Sequence, residues 1–242
     1  MTLACPVYNE AENVPALLQR LAADVSVPFE LVVVYDRDDD NTLPALAQHG
    51  PQAPFPIRCV KNHYGRGALN AVKTGLEVAN GTAVAVIMAD LADDLRTVAP
   101  MYTLLEDGGY DLVVGSRYMR GGKQIGGPLL KGLLSRLAGW SFRLLTGIPT
   151  CDITNNFKMY RTSFVHAVTI ESEAGFEIAM ELTVKAYAGG YRIVEVPSVW
   201  TDRVAGTSRF QLWRWIPHYL RWYRYGLTHR PGRRIRAGAK EA

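Results

Sequence analysis

Two groups of carboxylates, each placed directly after an apolar run, carry the chemistry most easily read from this chain. Asp36, Asp38, Asp39 and Asp40 follow the run at 30–35, and Asp90, Asp93 and Asp94 follow the run at 83–89. Carboxylates packed this closely repel one another, and a hard divalent cation bound through oxygen relieves the repulsion. A cation held in that way can grip a diphosphate. The same acids can instead serve as helix N-caps or solvated loop residues, the commonest use of Asp after a strand, and Asp40 and Asp94 each precede a helical pattern.

Whether the two groups meet depends on the elements that carry them. Apolar runs at 3–7, 30–35, 57–60, 83–89 and 111–115 alternate with helical patterns at 12–23, 42–49, 67–79 and 95–106. This alternation predicts an α/β fold, a mostly parallel sheet flanked by helices. Ligands of such sheets sit beyond the carboxyl ends of the strands. Tyr8, Asn9, Glu10, Asp36, Asp90, Ser116 and Arg117 all fall at those ends and are expected to line one crevice.

After Tyr118 the rhythm changes. Gly121, Gly122, Gly126 and Gly127 lead into 129–145, where apolar residues recur at helical spacing with Lys131, Arg136 and Arg143 among them. Two readings stand open: a helix packed on the core, or one lying in a membrane interface with its cations reaching for phosphate. A short strand at 156–160, a helix at 177–188 and a β segment at 191–200 follow. The stretch 211–226 mixes Trp213, Trp215, Tyr219, Trp222, Tyr223 and Tyr225 with Arg214, Arg221 and Arg224. That mixture suits the headgroup level of a bilayer, and equally an aromatic helix packed on its own protein. The expected organisation is a catalytic domain over 1–210, an aromatic and basic membrane-proximal helix over 211–229, and a basic, disordered tail over 230–242.

Composition narrows the function classes. With 242 residues, 48% of them hydrophobic, the chain can bury a sizeable core. The net charge of +4 is uneven, because nine Arg or Lys residues fall between Arg209 and Lys240. This points to an anionic partner surface near the C-terminus. The acids at the sheet edge argue against a nucleic acid in the main cleft, and none is expected as a partner. Cys5, Cys59 and Cys151 show no metal-ligand spacing and read as reduced thiols. A strand from the first residues leaves no secretory leader, and no apolar run reaches the roughly 18 residues needed to span a bilayer. The expected location is cytoplasmic, peripheral to the cytoplasmic face of a membrane.

Six short motifs then acquire meaning together. Pro6-Val7-Tyr8-Asn9-Glu10, the acids from Asp36 to Thr42, Asn62 with Gly65-Arg66-Gly67-Ala68 and Gly75, the Asp90 step, Gly115-Ser116-Arg117, and Arg203-Val204-Ala205-Gly206-Thr207-Ser208-Arg209 follow one another in this order. In that order the chain resembles the inverting GT-A glycosyltransferases, and within them the dolichyl-phosphate mannose synthase and polyprenyl-phosphate glycosyltransferase branch. The resemblance implies a GT-A sheet with C-terminal amphipathic helices. It assigns Pro6, Tyr8, Glu10, Asp36, Asn62, Gly65, Arg66, Gly67, Ala89 and Arg209 to the nucleotide sugar. It assigns Arg117, Lys131, Ser135 and Ser208 to the acceptor phosphate, and catalysis to Asp90, Arg117 and Arg203. The family's acidic motif usually reads Asp-x-Asp-x-Gln, whereas this chain has Met88-Ala89-Asp90-Leu91-Ala92. Mg²⁺ or Mn²⁺ is therefore expected on Asp90, with Asp93 and Asp94 as further candidate ligands.

The resemblance also implies the reaction: a hexose passes with inversion from a nucleoside-diphosphate sugar to a polyprenyl phosphate at a membrane surface, with a transmembrane partner subunit as a candidate anchor. Two alternatives stand beside it. A hydroxyl acceptor would need a carboxylate base, for which Glu177 and Glu181 are candidates four residues apart on one helix. The loss of two motif ligands is also compatible with a catalytically silent nucleotide-sugar-binding subunit.

Overall fold

Burial on both faces turns the apolar runs into strands. The computed structural model describes residues 1–202 and 212–229. Strands β1 (Thr2–Pro6), β2 (Glu30–Tyr35), β3 (Ile57–Lys61), β4 (Ala83–Val86) and β5 (Leu112–Ser116) alternate with helices α1 (Val14–Asp24), α2 (Thr42–His49), α3 (Ala68–Glu77) and α4 (Val98–Glu106). A small strand β6 (Lys123–Ile125) precedes α5 (Leu129–Thr146). Then come β7 (Lys158–Arg161), α6 (Thr162–Ala167), α7 (Ile178–Ala188), β8 (Ile193–Pro197), β9 (Val199–Thr201) and α8 (Leu212–Thr228).

Seven strands form one sheet in the order β3-β2-β1-β4-β7-β5-β8. Every pairing is parallel except those of β7, which runs antiparallel to β4 and β5. The sequence places this strand at 156–160, but it occupies Lys158–Arg161, because the polar residues before it are spent on a loop beneath the site. Side chains alternate between two cores, as strand geometry requires. Leu3 and Cys5 join Leu17, Leu21, Met101 and Leu105 on one face, while Ala4 joins Leu76, Phe142, Tyr160 and Trp222 on the other.

Helix α5 has one face packed on the protein and an exposed apolar stripe. On α5, Lys131, Ser135, Gly139 and Phe142 share the inward face, with Gly139 and Phe142 buried. The opposite stripe, Leu129, Leu133, Leu137, Trp140 and Leu144, is exposed, Leu129 at 91% and Leu144 at 86%. Gly139 lies so close to the next loop that a Cβ there would stand 2.0 Å from the Cys151 carbonyl oxygen. On α8, Trp222 is buried against α7 and the Tyr223 hydroxyl donates to Ser141 Oγ at 2.8 Å, so this helix packs on the protein, while Leu220 and Leu227 face outward. Among the described residues, no helix is long and apolar enough to cross a membrane.

Candidate active site

The acidic edge begins at the ends of β1, β2 and β3. Asp36 does not stand free: its Oδ1 accepts from Asn62 Nδ2 at 2.8 Å and its Oδ2 accepts from the Gly67 N–H at 2.8 Å. Asn62 also donates to the Gly65 carbonyl at 2.6 Å and accepts from the Thr74 hydroxyl at 3.1 Å. These bonds shape the turn into α3, where Gly67 sits at φ +121°, a conformation side-chain-bearing residues rarely adopt. Arg66 is exposed on the same turn. Pro6 is buried under β1's end, and Tyr8, Asn9, Arg37, Asp39 and Asp40 line a small pocket there. Asp40 is buried and accepts from the Asn9 N–H at 3.1 Å and the Thr42 N–H at 2.9 Å, so it binds two strand ends together. Glu10 accepts from Asn13 Nδ2 at 2.6 Å.

The Asp90 loop is built for rigidity. Asp90 Oδ1 accepts from the Ala92 N–H at 3.2 Å, and Leu91 holds φ +60°, unusual for a branched side chain. Arg20 of α1 secures the strained turn by donating to the Leu91 and Asp93 carbonyls at 2.8 and 3.1 Å. Ala89 and Ala92 are buried and Met88 is half-buried. Asp94 is otherwise engaged: it accepts from the Arg96 N–H at 3.2 Å and pairs with that guanidinium at 2.8 and 3.0 Å, as a cap does. Asp93 is buried, and its carboxyl is pushed up to about 7, by burial first and by the Asp90 charge second, against the pull of Arg117 and Arg20.

The basic edge converges on Arg117, at the end of β5. Its Nε and Nη2 donate to the two oxygens of buried Asp152 at 2.7 and 2.8 Å, and its backbone N–H donates to the same carboxylate at 3.0 Å. Nη2 also reaches Ser135 Oγ at 3.3 Å and Thr154 Oγ1 at 3.5 Å, and those hydroxyls stand 2.5 Å apart. Tyr118 is sandwiched by cations, with Arg117 4.8 Å and Arg136 5.1 Å from its ring centre. Lys131 stands one turn before Ser135 on the inward face of α5.

The charges of Asp90, Arg117 and Asp152 all act on Asp93, so the acidic and basic edges meet there. Asp36 follows β2 and Asp90 lies in the loop after β4, the two strands that flank β1. Arg203, Ser208 and Arg209 fall outside the described residues, as does the tail at 230–242. Sequence reasoning missed Asp152, Thr154 and Arg20. The polar run Asp152-Ile153-Thr154-Asn155-Asn156, interrupting an apolar stretch, was the available signal.

Glu177 and Glu181 are fully buried and hold the preceding loop. Glu181 accepts from the N–H groups of Glu171 and Ser172 at 2.6 and 2.8 Å and pairs with Lys185 at 2.7 Å. Glu177 Oε1 accepts from the N–H groups of Glu173 and Ala174 at 3.2 and 2.7 Å. Both oxygens of Glu181 are therefore committed to structure, whereas Glu177 Oε2 is buried with no hydrogen-bond partner among the described residues.

For a divalent cation, the described residues gather no cluster of three or more His, Cys, Asp or Glu side chains. What they offer is Asp90 with Asp93 beside it. That set fits a Mg²⁺-like ion that takes one or two carboxylates from the protein and its remaining oxygens from substrate phosphates and water. Asp93 also yields a pH test. Its folded-state pKa is raised, so the stability of its neutral form is complete below the ordinary carboxylate range and is lost as pH rises through about 7. In chelator, Asp93→Asn should raise the melting temperature at pH 8 but not at pH 4, by the equivalent of a few kcal/mol at most. Equal shifts at both pH values would show that Asp93 ionises freely.

An acid-edged, mostly parallel sheet joined to a cation-bearing loop after β5 is the arrangement of a GT-A fold. The profile of Glycosyl transferase family 2 matches residues 2–168, and the chain belongs to that family. It is 28% identical over 234 residues to the dolichol-phosphate mannosyltransferase of Pyrococcus furiosus, covering 92% of this chain and 64% of that protein's length. It is 27% identical over 208 residues to the polyprenol monophosphomannose synthase of Mycolicibacterium smegmatis, covering 84% of this chain and 78% of the relative. The mannosyltransferase PcManGT of Pyrobaculum calidifontis, solved with GDP-Man and Mn²⁺, superimposes with a TM-score of 0.65 at 21% identity, over 92% of this chain and 62% of that one. The last likeness establishes the fold.

Proposed function

We propose that this chain is an inverting glycosyltransferase that moves a hexose from a nucleoside-diphosphate sugar to a polyprenyl phosphate at a membrane surface. The observation that carries this reading is the Arg117 cluster, where a guanidinium and two hydroxyls gather beside the acidic loop on the inward side of a helix whose outward side is bare leucine. Phosphate oxygens require that combination of cation and hydroxyl donors, and an isoprenoid tail needs an apolar surface close by. The names of the two curated relatives support a polyprenyl-type acceptor.

In this mechanism the nucleotide lies across the ends of β1 and β2, against Tyr8, Glu10 and the Asp36 turn. Gly65 and Gly67 let the start of α3 approach phosphate closely, where backbone N–H groups favour negative charge. A cation on Asp90, when bound, neutralises charge on the departing diphosphate. Arg117, Ser135 and Lys131 hold the acceptor phosphate opposite the leaving group. One phosphate oxygen forms the bond to the anomeric carbon as the bond to the nucleoside diphosphate breaks, so the configuration inverts. A phosphate monoester with a second pKa near 6 is largely dianionic at neutral pH and needs no base, in keeping with the structural role of Glu181. Rate then comes from alignment and charge neutralisation. Arg203 and Arg209 are proposed to close over the diphosphate and Ser208 over the acceptor phosphate.

The deciding experiment offers purified protein a panel of radiolabelled nucleotide sugars with polyprenyl phosphate and follows label into the organic phase. Label entering a water-soluble acceptor without lipid would replace this reading with a hydroxyl-acceptor enzyme, and no transfer or donor hydrolysis at all would leave a binding subunit.

The membrane part has its own test. Neither α5 nor the sequence of α8 contains an acidic residue, and Arg136 borders the exposed leucine stripe of α5. An anionic bilayer suits both the apolar stripe and its basic border. Leu133→Gln, Leu137→Gln and Leu144→Gln together remove only exposed apolar surface, so the fold should persist while cosedimentation with vesicles containing anionic lipid falls about a hundredfold. Undiminished cosedimentation would take α5 out of the membrane contact.

A further inference from the structure

One charged group in the middle of the protein takes no part in the chemistry above. Lys158 lies on β7 with no exposed surface, in a strand whose neighbours Phe157, Met159 and Tyr160 are all core. Its Nζ donates to the Ile153 carbonyl at 2.7 Å, the Ala179 carbonyl at 2.9 Å and the Thr183 hydroxyl at 2.7 Å. An ammonium has three donors, and all three are used on neutral acceptors. A methionine of similar length would fill the same space without desolvating a charge, so packing does not explain a lysine here.

The position of the gripped carbonyls supplies the reason. Ile153 stands between Asp152, which takes Arg117 in two parallel bonds, and Thr154, which links Arg117 to Ser135. Ala179 and Thr183 belong to α7. On the other side of the loop, Asn155 Nδ2 donates to the Gly115 carbonyl at 2.7 Å, two residues before Arg117. The loop at 150–155 is thus pinned to the end of β5 by Asn155 and to α7 by Lys158, with two of the three described side chains that Arg117 bonds, Asp152 and Thr154, on either side of the gripped Ile153.

We propose that Lys158 is a positioning residue for the acceptor: by fixing the Ile153 peptide it sets Asp152 and Thr154, and through them aims the Arg117 guanidinium at the incoming phosphate. Its ammonium is under tension from its surroundings. Burial lowers its pKa to about 7, the Asp152 charge opposes that shift and Arg117 adds to it. The hydrogen bonds, not a counter-charge in contact, hold it in place.

This inference rests on the reading that Arg117 receives the acceptor phosphate, and the test separates the two. Lys158→Met keeps volume and removes the three donors. Thr183→Val removes one acceptor, leaves the charge, and covers the case in which Lys158→Met does not fold. For each, donor affinity and the KM for polyprenyl phosphate are measured beside the double variant Arg117→Gln/Asp152→Asn. The expected result is a KM for polyprenyl phosphate raised on the order of ten- to a hundredfold by Lys158→Met, and less by Thr183→Val, with nucleotide-sugar affinity unchanged. If the double variant impairs acceptor use while folded Lys158→Met and Thr183→Val do not, Lys158 is a core residue only and the inference falls. If the double variant itself leaves acceptor use intact, the reading of Arg117 falls, and the role of Lys158 with it.

Discussion

The variant Arg117→Gln/Asp152→Asn should lose transfer to polyprenyl phosphate by on the order of a thousandfold while still folding and binding nucleotide sugar. Both substitutions are needed for a clean result. Asp152 is fully buried, and its carboxylate takes three hydrogen bonds from Arg117, two from the side chain and one from the backbone N–H. Arg117→Ala alone would leave that carboxylate uncompensated in the interior, at a cost of about 3–5 kcal/mol, and the lost activity would be confused with lost fold. Two neutral amides leave no buried charge unpaired and remove the cation proposed to meet the acceptor. Label transferred into the organic phase measures the first effect, and calorimetric titration with nucleotide sugar the second. Turnover at the wild-type rate in the folded double variant would remove Arg117 from the acceptor site.

The contrast between Arg117 and Asp36 shows where reading a sequence succeeds. Strand ends are legible because an apolar run followed by polar residues fixes where the sheet stops, and a parallel sheet puts all such stops on one side. Tyr8, Asp36, Asp90 and Arg117 were therefore placed together without coordinates. What each side chain does there was not legible, because it depends on residues distant in sequence. Asp36 shapes the turn at Gly67 across 31 positions, and Arg117 is held by Asp152 across 35. Asp94 shows the converse: its cap and its pairing with Arg96, two residues on, are local, and the sequence offered that use at once. The same limit applies to helix faces. Periodicity showed that α5 has an apolar stripe and a second face, but only its contact with the 150–152 loop through Gly139 shows that Lys131 and Ser135 face the site and the leucines face away. A lysine inside an apolar strand was visible at 158 and went unread, because its acceptors lie on a loop and on α7, on either side of it in the chain.

Asp90→Asn should raise the KM for the nucleotide sugar about a hundredfold and remove its dependence on divalent cation, with the local structure unaltered. Its Oδ1 accepts the Ala92 N–H at 3.2 Å, a bond that an asparagine carbonyl can continue to accept. The strained Leu91 turn is held independently by Arg20. The substitution subtracts the charge and keeps that bond, and in a loop where Met88 and Ala92 bring no hard oxygen ligand, that charge is the main protein contribution to a cation. A second readout comes from the neighbour. The Asp90 charge is one of the two largest causes of Asp93's raised pKa, so removing it should move the pH at which the fold loses Asp93's contribution downward. If chelation and Asp90→Asn act on one site, their effects on turnover will not add. Wild-type activity that survives chelator, together with an Asp90→Asn enzyme of unchanged donor KM, would mean that the diphosphate is neutralised by the chain's own cations and that the altered motif marks a metal-free branch of this chemistry.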